Sequence, residues 1–236
     1  MYNPTDNKLL KFFPTEVTNK IFPRLKLVKL RLGKVIYESG QSLTHVYFPI
    51  DSIVSLLYVT ENGSSAEISV VGNEGLVGIA VFMGGESTPN RAVVQSAGYA
   101  YQIPASVLRS EFNNDSTIRM LLLRYTQSLI AQMAQTAVCN RHHSIDQQLC
   151  RWLLLSLDRL RTNNLTMTQE LIANMLGVRR EGVTEAAGKL QKLGVITYKR
   201  GHITVENRDM LETLCCECYA VVKLETDRLA EFSNKA

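Results

Sequence analysis

From Leu25 to about Pro104, apolar residues alternate with polar ones. Val28, Leu30 and Leu32 stand among basic residues, followed by Val46 and Phe48, then Val54, Leu56 and Tyr58, then Ile68 and Val70. A period of two is that of strands with one buried face. Turn-forming residues interrupt the runs at Glu38-Ser39-Gly40, Pro49-Ile50-Asp51, Glu61-Asn62-Gly63, Gly72-Asn73-Glu74-Gly75 and Gly84-Gly85. Short strands so punctuated, with no helix between them, predict a small β-sandwich or barrel. Residues 1–24 predict a short helical lead-in broken at Pro14 and Pro23. Beyond Pro104 the period lengthens. Ser106 to Asn113 reads as one short helix and Ser116 to about Asn140 as a longer one, on which Ile118, Leu122, Tyr125, Leu129 and Met133 advance in steps of three and four. That stripe is expected to meet an identical helix across a two-fold axis. Leu121, Leu123 and Ile130 add a second apolar face, so the helix should pack on the β domain with its other side.

His142-His143-Ser144 closes the long helix and marks a boundary. A helix from Ile145 to about Leu160 follows, then the polar loop Arg161-Thr162-Asn163-Asn164. Thr168 to Ile196 has the spacing of two crossed helices. Ile172, Ala173, Leu176, Val178, Val183 and Ala186 form the inner face, with Ala173 small at the crossing and Gly177 able to take the positive φ of a tight turn. Arg179, Arg180, Glu181, Thr184 and Gly188 fall on the outer face. Two β-prone runs, Val195–Tyr198 and Ile203–Val205, are joined by Lys199-Arg200-Gly201-His202 as a hairpin with a basic tip. A helix pair followed by a hairpin is a winged helix-turn-helix. One amphipathic helix is expected from Arg208 to Phe232. The fold class is therefore α+β: a β-barrel or jelly-roll domain over residues 1–113, a long helix over 114–143, and a winged helix-turn-helix domain over 144–236.

Charge sharpens this division. Residues 141–208 carry eleven Lys/Arg against six Asp/Glu, whereas 209–236 carry three against six. The basic excess lies on the helix pair, where phosphate neutralisation would need it. An apolar content of 45% and a charged content of 20% suit a globular protein. No apolar run approaches the roughly eighteen residues of a membrane span, and MYNPTDNKLLKFF lacks the order of a signal peptide, so a cytoplasmic protein is expected. Five cysteines without framework spacing argue against a disulfide scaffold.

A β-rich domain, a long helix and a terminal winged helix resemble the Crp/Fnr family of bacterial transcription regulators. The resemblance spans nearly the whole chain. It is most specific at Gly177-Val178-Arg179-Arg180-Glu181-Gly182-Val183 and Leu193-Gly194-Val195-Ile196. It implies a homodimer on an inverted repeat of double-stranded DNA, with RNA polymerase a further candidate partner. It also implies that Arg180-Glu181 contact base edges: Arg grips guanine O6 and N7, and Glu accepts from cytosine N4. Glu185 stands where the cyclic-AMP receptor protein has a second arginine, so the half-site should differ. Arg179 replaces the usual Ser or Thr cap, and with Thr168, Thr184, Lys189, Lys199 and Arg200 it completes the expected DNA-binding set.

The effector pocket departs from the pattern. Cyclic-nucleotide binders of the family carry Gly-Glu for the ribose and Arg-Ser/Thr-Ala for the phosphate. Here the matching runs are Gly78-Ile79, without a carboxylate, and Asn90-Arg91-Ala92, with the arginine one place late and so turned to the other strand face. Cyclic AMP is not expected, no cofactor is assigned and the effector stays open. Glu74, Gly78, Asn90 and Arg91 are the candidate pocket residues.

Iron–sulfur relatives carry N-terminal cysteines, but none precedes Cys139 here. Cys139, His142, His143 and Cys150 match no standard zinc spacing, and no metal ligand is assigned. Cys215 and Cys218 fall on the apolar stripe of the final helix with Leu211, Val222 and Leu229. Cys216 lies off it and is open to redox chemistry. Two rival functions remain. An enzyme on the barrel would need a clustered metal set, yet His45 is the lone histidine of that segment. A basic helix could instead meet an acidic protein.

Overall fold

In the computed structural model, which describes residues 2–233, the lead-in forms α1 (Lys8–Lys11) and α2 (Thr15–Ile21). Asn7 caps α1 through Oδ1 and donates from Nδ2 to the Pro49 and Gly75 carbonyls, at 2.8 and 2.9 Å, so a buried amide ties the lead-in to the β domain. Seven strands follow: β1 (Lys26–Leu30), β2 (Val35–Tyr37), β3 (His45–Pro49), β4 (Ile53–Val59), β5 (Ser65–Val71), β6 (Arg91–Ser96) and β7 (Gly98–Pro104). They form two antiparallel sheets, ordered β1-β7-β3 and β2-β6-β4-β5. Val46, Phe48, Val54 and Leu56 fill the space between them, as the alternation predicts. Residues Ile53–Leu57 of β4 are all buried, not alternately. Ile53 and Leu57, with Val70 of β5, pack into the core of the C-terminal half, so this sheet is covered on both faces.

After α3 (Ala105–Asn114), Asp115 caps the long α4 (Ser116–His142) by accepting from the Thr117 and Ile118 amides. Here one expectation is corrected. Ile118, Leu122, Tyr125 and Leu129, expected at a dimer interface, are buried in this chain's own β-domain core, and Met133 packs against it. The Tyr125 hydroxyl donates to the Leu76 carbonyl at 2.8 Å, and its ring lies where any side chain at Gly75 would clash. The physical reason is that these positions meet the apolar interior left open between the sheets. Leu123 and Ile130, on the opposite side with Met120 and Val138, are the exposed ones, while Leu121 is buried.

His143 ends α4 in an extended conformation, and Ser144 starts α5 (Ile145–Leu157) with a reciprocal cap involving Gln147. The winged domain continues with β8 (Asn164–Thr166), α6 (Gln169–Leu176), α7 (Arg180–Lys192), β9 (Ile196–Lys199) and β10 (His202–Val205). The strand β8 falls in what sequence predicts as a polar loop. It pairs with β10 through three residues whose only apolar anchor is the buried Leu165. The expected single terminal helix is two, α8 (Arg208–Leu214) and α9 (Cys218–Ser233), because Cys215 leaves the helix at φ −77°, ψ 160°. The winged domain docks on β4 and β5, where Arg159 Nε meets Glu74 Oε1 at 2.8 Å in a buried ion pair. Among the described residues no helix is long and apolar enough to cross a membrane.

Candidate nucleic-acid interface and effector pocket

The helix pair is set by its turn. Gly177 adopts φ +67° as the C-cap of α6, and Val183, Ala186, Ala187 and Leu190 turn α7 inward onto Ile172, Ala173 and Leu176. Thr168 caps α6 by accepting the Leu171 amide at 3.3 Å. The residues left over project outward. Arg179, the N-cap of α7, makes no side-chain capping bond, so the first amides of the helix are left without a side-chain acceptor. Arg180 and Glu181 are exposed on the first turn, and neither side chain has a hydrogen bond or ion pair among the described residues, although the Arg180 carbonyl accepts from Thr184 Oγ1 at 3.0 Å. Thr184 Oγ1 lies 2.8 Å from Gln169 Oε1 and so joins the two helices across their outer face.

The wing flanks this face. Arg200 and Gly201 both have positive φ, 52° and 82°, the signature of a tight two-residue hairpin turn. An arginine in that conformation costs about 1 kcal/mol relative to glycine. Thr168, Gln169, Arg180, Tyr198, Arg200 and Gly201 line one open cleft between helix pair and wing. Tyr198 fixes its floor by donating to the Met167 carbonyl at 2.7 Å. Lys199 is exposed beside the tip. Thus Thr168, Arg180 and Arg200 share one cleft, Thr184 joins it through Gln169, and Arg179, Glu181 and Lys199 are exposed next to them in the chain. Lys189 is the exception: its ammonium is held 3.0 Å from both Asp146 and Glu185, which satisfies the charge internally.

The effector region behaves differently. A cavity of about 240 Å³ lies inside the β domain, against Leu129 and Met133 of α4. Gly78 and Asn90 line it as expected, along with Tyr37, Leu56, Leu76 and Ile79. Tyr37 donates to Asn90 Oδ1, and Asn90 donates to Thr88 Oγ1, each at 2.8 Å. Arg91 and Glu74 do not line it, which corrects both assignments. Arg91 pairs with Glu38 at 3.0 Å on the surface, because the one-place shift on β6 points it away from the interior. Glu74 is consumed by Arg159 and by the Gly72 amide.

The cysteines also regroup. With the terminal helix broken at Cys215, the stripe argument no longer applies, and Cys216, expected off the buried face, is only 6% exposed. Cys216 and Cys218 meet Cys139 and His143 from the end of α4, whereas His142 and Cys150 are not in this group. Sequence spacing could not show it, since the partners are more than seventy residues apart.

Comparison with known proteins agrees with this architecture. Residues 147–214 match the Crp-like helix-turn-helix domain, and residues 27–115 match the cyclic nucleotide-binding domain. The chain is 22% identical over 212 residues to the global nitrogen regulator of Synechococcus elongatus, covering 86% of this chain and 94% of that one. It is also 22% identical over 192 residues to the fumarate and nitrate reduction regulatory protein of Escherichia coli, covering 78% and 76%. Among solved structures, FixK2 from Bradyrhizobium japonicum superposes with a TM-score of 0.70 at 17% identity, over 81% of this chain and 98% of that one. A Crp/Fnr-family regulator from Eubacterium rectale gives 0.69 at 18%, over 89% and 98%. Domain order, winged helix and matched segments together place this chain in the Crp/Fnr family of DNA-binding transcription regulators, not among enzymes built on a similar barrel.

Proposed function

We propose that this protein acts in the cytoplasm as a homodimer that reads an inverted-repeat operator, placing α7 of each subunit in the major groove. One observation carries the reading: the Arg180 and Glu181 side chains stand exposed on the first turn of α7, without a hydrogen bond or ion pair among the described residues, and Arg180 shares a cleft with Arg200 of the wing. A guanidinium and a carboxylate at that place suit a G·C step, each good contact contributing about 1–3 kcal/mol of discrimination. Arg179, Lys199 and Arg200 would meet phosphates and set the register.

The dimer seam is the outer face of α4. Met120, Leu123, Gln127, Ile130, Ala134 and Ala137 advance by alternating threes and fours, and all are exposed in the single chain. That is the repeat of a coiled-coil contact, and among the described residues nothing else covers its large apolar members. The effector, if one enters the β domain, is small and largely apolar. Among the described residues lining the cavity there is no Lys or Arg to hold a phosphate. Its contact with Leu129 and Met133 would link occupancy to the pose of α4 and so to the separation of the two readers.

Selection of bound sites from a random DNA pool tests the proposal. An enriched inverted repeat with half-sites about one duplex turn apart supports it. Recovery of no common sequence, with binding that competitor DNA abolishes, refutes it. Cyclic AMP should leave both the melting temperature and the operator affinity unchanged.

A further inference from the structure

The hinge carries chemistry that operator reading does not use. Cys139 lies in the last turn of α4 and His143 is the C-cap four residues on, so both project from the same side of the helix end. Cys216 lies in the break between α8 and α9 and Cys218 opens α9, and both sulfurs reach the end of α4. The sulfurs of Cys139 and Cys216 are 3.6 Å apart, and Cys218 Sγ is 3.4 Å from His143 Nδ1. All four ligand atoms lie within 4.8 Å of one another. Tetrahedral zinc, with Zn–S near 2.3 Å and Zn–N near 2.05 Å, requires edges of about 3.8 Å between sulfurs and about 3.6 Å between sulfur and nitrogen. The group is spaced for one ion; the thiolates of a polynuclear iron–sulfur cluster would have to stand further apart.

We infer that Cys139, His143, Cys216 and Cys218 form a Cys3His site for a single zinc-class divalent ion, which staples the end of α4 to the winged domain. Simple packing would explain buried thiols but not an imidazole nitrogen aimed among them. The surroundings fit a metal centre. His143 turns Nδ1 to the cysteines and Nε2 to Glu217 Oε2 at 3.4 Å, the carboxylate–histidine–metal arrangement that fixes ring orientation. Gln135 Nε2 donates to Cys218 Sγ at 3.1 Å. Three thiolates around a divalent ion leave one net negative charge. The buried Arg151, whose Nη1 donates to Thr136 Oγ1 at 3.2 Å one turn before Cys139, brings a positive charge toward that excess. Binding releases the thiol protons to solvent. Cys216 also borders an open surface depression with Cys215, Glu217 and Tyr219, which gives the ion a route in.

The hinge coupling rests on the operator reading, whereas the site itself does not. The test is a Co2+ titration of the reduced, metal-stripped full chain, followed by Zn2+ competition and operator binding. The expected result is a tetrahedral thiolate–cobalt spectrum that saturates at one equivalent per chain and is displaced by zinc. Cys216→Ser and Cys218→Ser abolish it, and Cys150→Ser leaves it intact. Glu217→Gln, at an exposed side chain where folding is not at risk, weakens the metal about 10-fold or more. Chelation should weaken operator binding at least tenfold, reversibly with zinc. The site is overturned if the reduced chain gives no saturable tetrahedral spectrum, if the protein carries iron with labile sulfide, or if Cys139 and Cys216 are isolated as a disulfide. Stoichiometric metal with unchanged operator affinity overturns only the coupling. Stoichiometric metal with no specific DNA binding refutes the operator reading and leaves the site standing.

Discussion

The basic face of α7 and the charged groups of the β domain hold similar residues in opposite conditions. Around α7, the side chains of Arg179, Arg180 and Glu181 are exposed and have no hydrogen bond or ion pair among the described residues. In the β domain, Glu74 is held by Arg159 in a buried ion pair, and Arg91 lies 3.0 Å from Glu38. A charge kept exposed and unpaired costs little in water and stays available to a partner, whereas an internally paired charge has already spent its contact. The sharpest break of this contrast is Arg159→Met. It leaves Glu74 buried without its cation, and unfolding in urea should show a loss of about 3–5 kcal/mol. Adding Glu74→Gln should restore much of it. If the single variant costs under 1 kcal/mol, Glu74 is not structural and returns as a pocket candidate.

The two sides of α4 repeat the contrast in apolar form. Leu129→Ala opens a cavity in the chain's own core and should cost about 2–5 kcal/mol of stability. Leu123→Asp with Ile130→Asp should leave the subunit folded and shift sedimentation from dimer to monomer. A dimer that survives the double change would place the subunit contact elsewhere.

Much of the architecture was legible in the sequence because single elements carry it. The period of two along β3, the small and glycine residues of the helix pair, and the basic turn at Arg200-Gly201 each act within a dozen residues. What escaped depends on tertiary partners. The stripe Ile118-Leu122-Tyr125-Leu129-Met133 and the stripe through Leu123 and Ile130 are both apolar, and only the position of the β domain decides which is covered. Strand β8 forms because β10 offers an edge, not from its own pattern. The break at Cys215 interrupts a helical periodicity that continues on either side of it. Arg91 was legible in part: its one-place shift predicts the outward turn, but not Glu38 as its partner.

Among the outward charges, Arg180 and Lys189 separate readers from bystanders. Arg180→Ala should lose about 1–3 kcal/mol of discrimination at one base pair per half-site, measured against operators varied at each position. Lys189→Ala should leave the salt dependence of binding unchanged, because its ammonium is engaged with Asp146 and Glu185. A phosphate contact would instead lower that slope by about one. Equal effects from both would mean that the internal pairing of Lys189 gives way on DNA.

The smallest expected effect is at Arg91, and it tests the effector reading most directly. Its side chain is more than a third exposed, and so is that of Glu38, so water screens the pair and the contact is worth about 0–1 kcal/mol. Arg91→Ala should leave the melting temperature nearly unchanged. It should also leave the response to small apolar compounds intact, because the cavity is bounded by Leu76, Ile79 and Leu129 without it. Leu76→Trp, which fills the cavity, should abolish that response. If Arg91→Ala alone removed it, the guanidinium would have to swing off Glu38 and inward over Asn90, and the effector would be an anion.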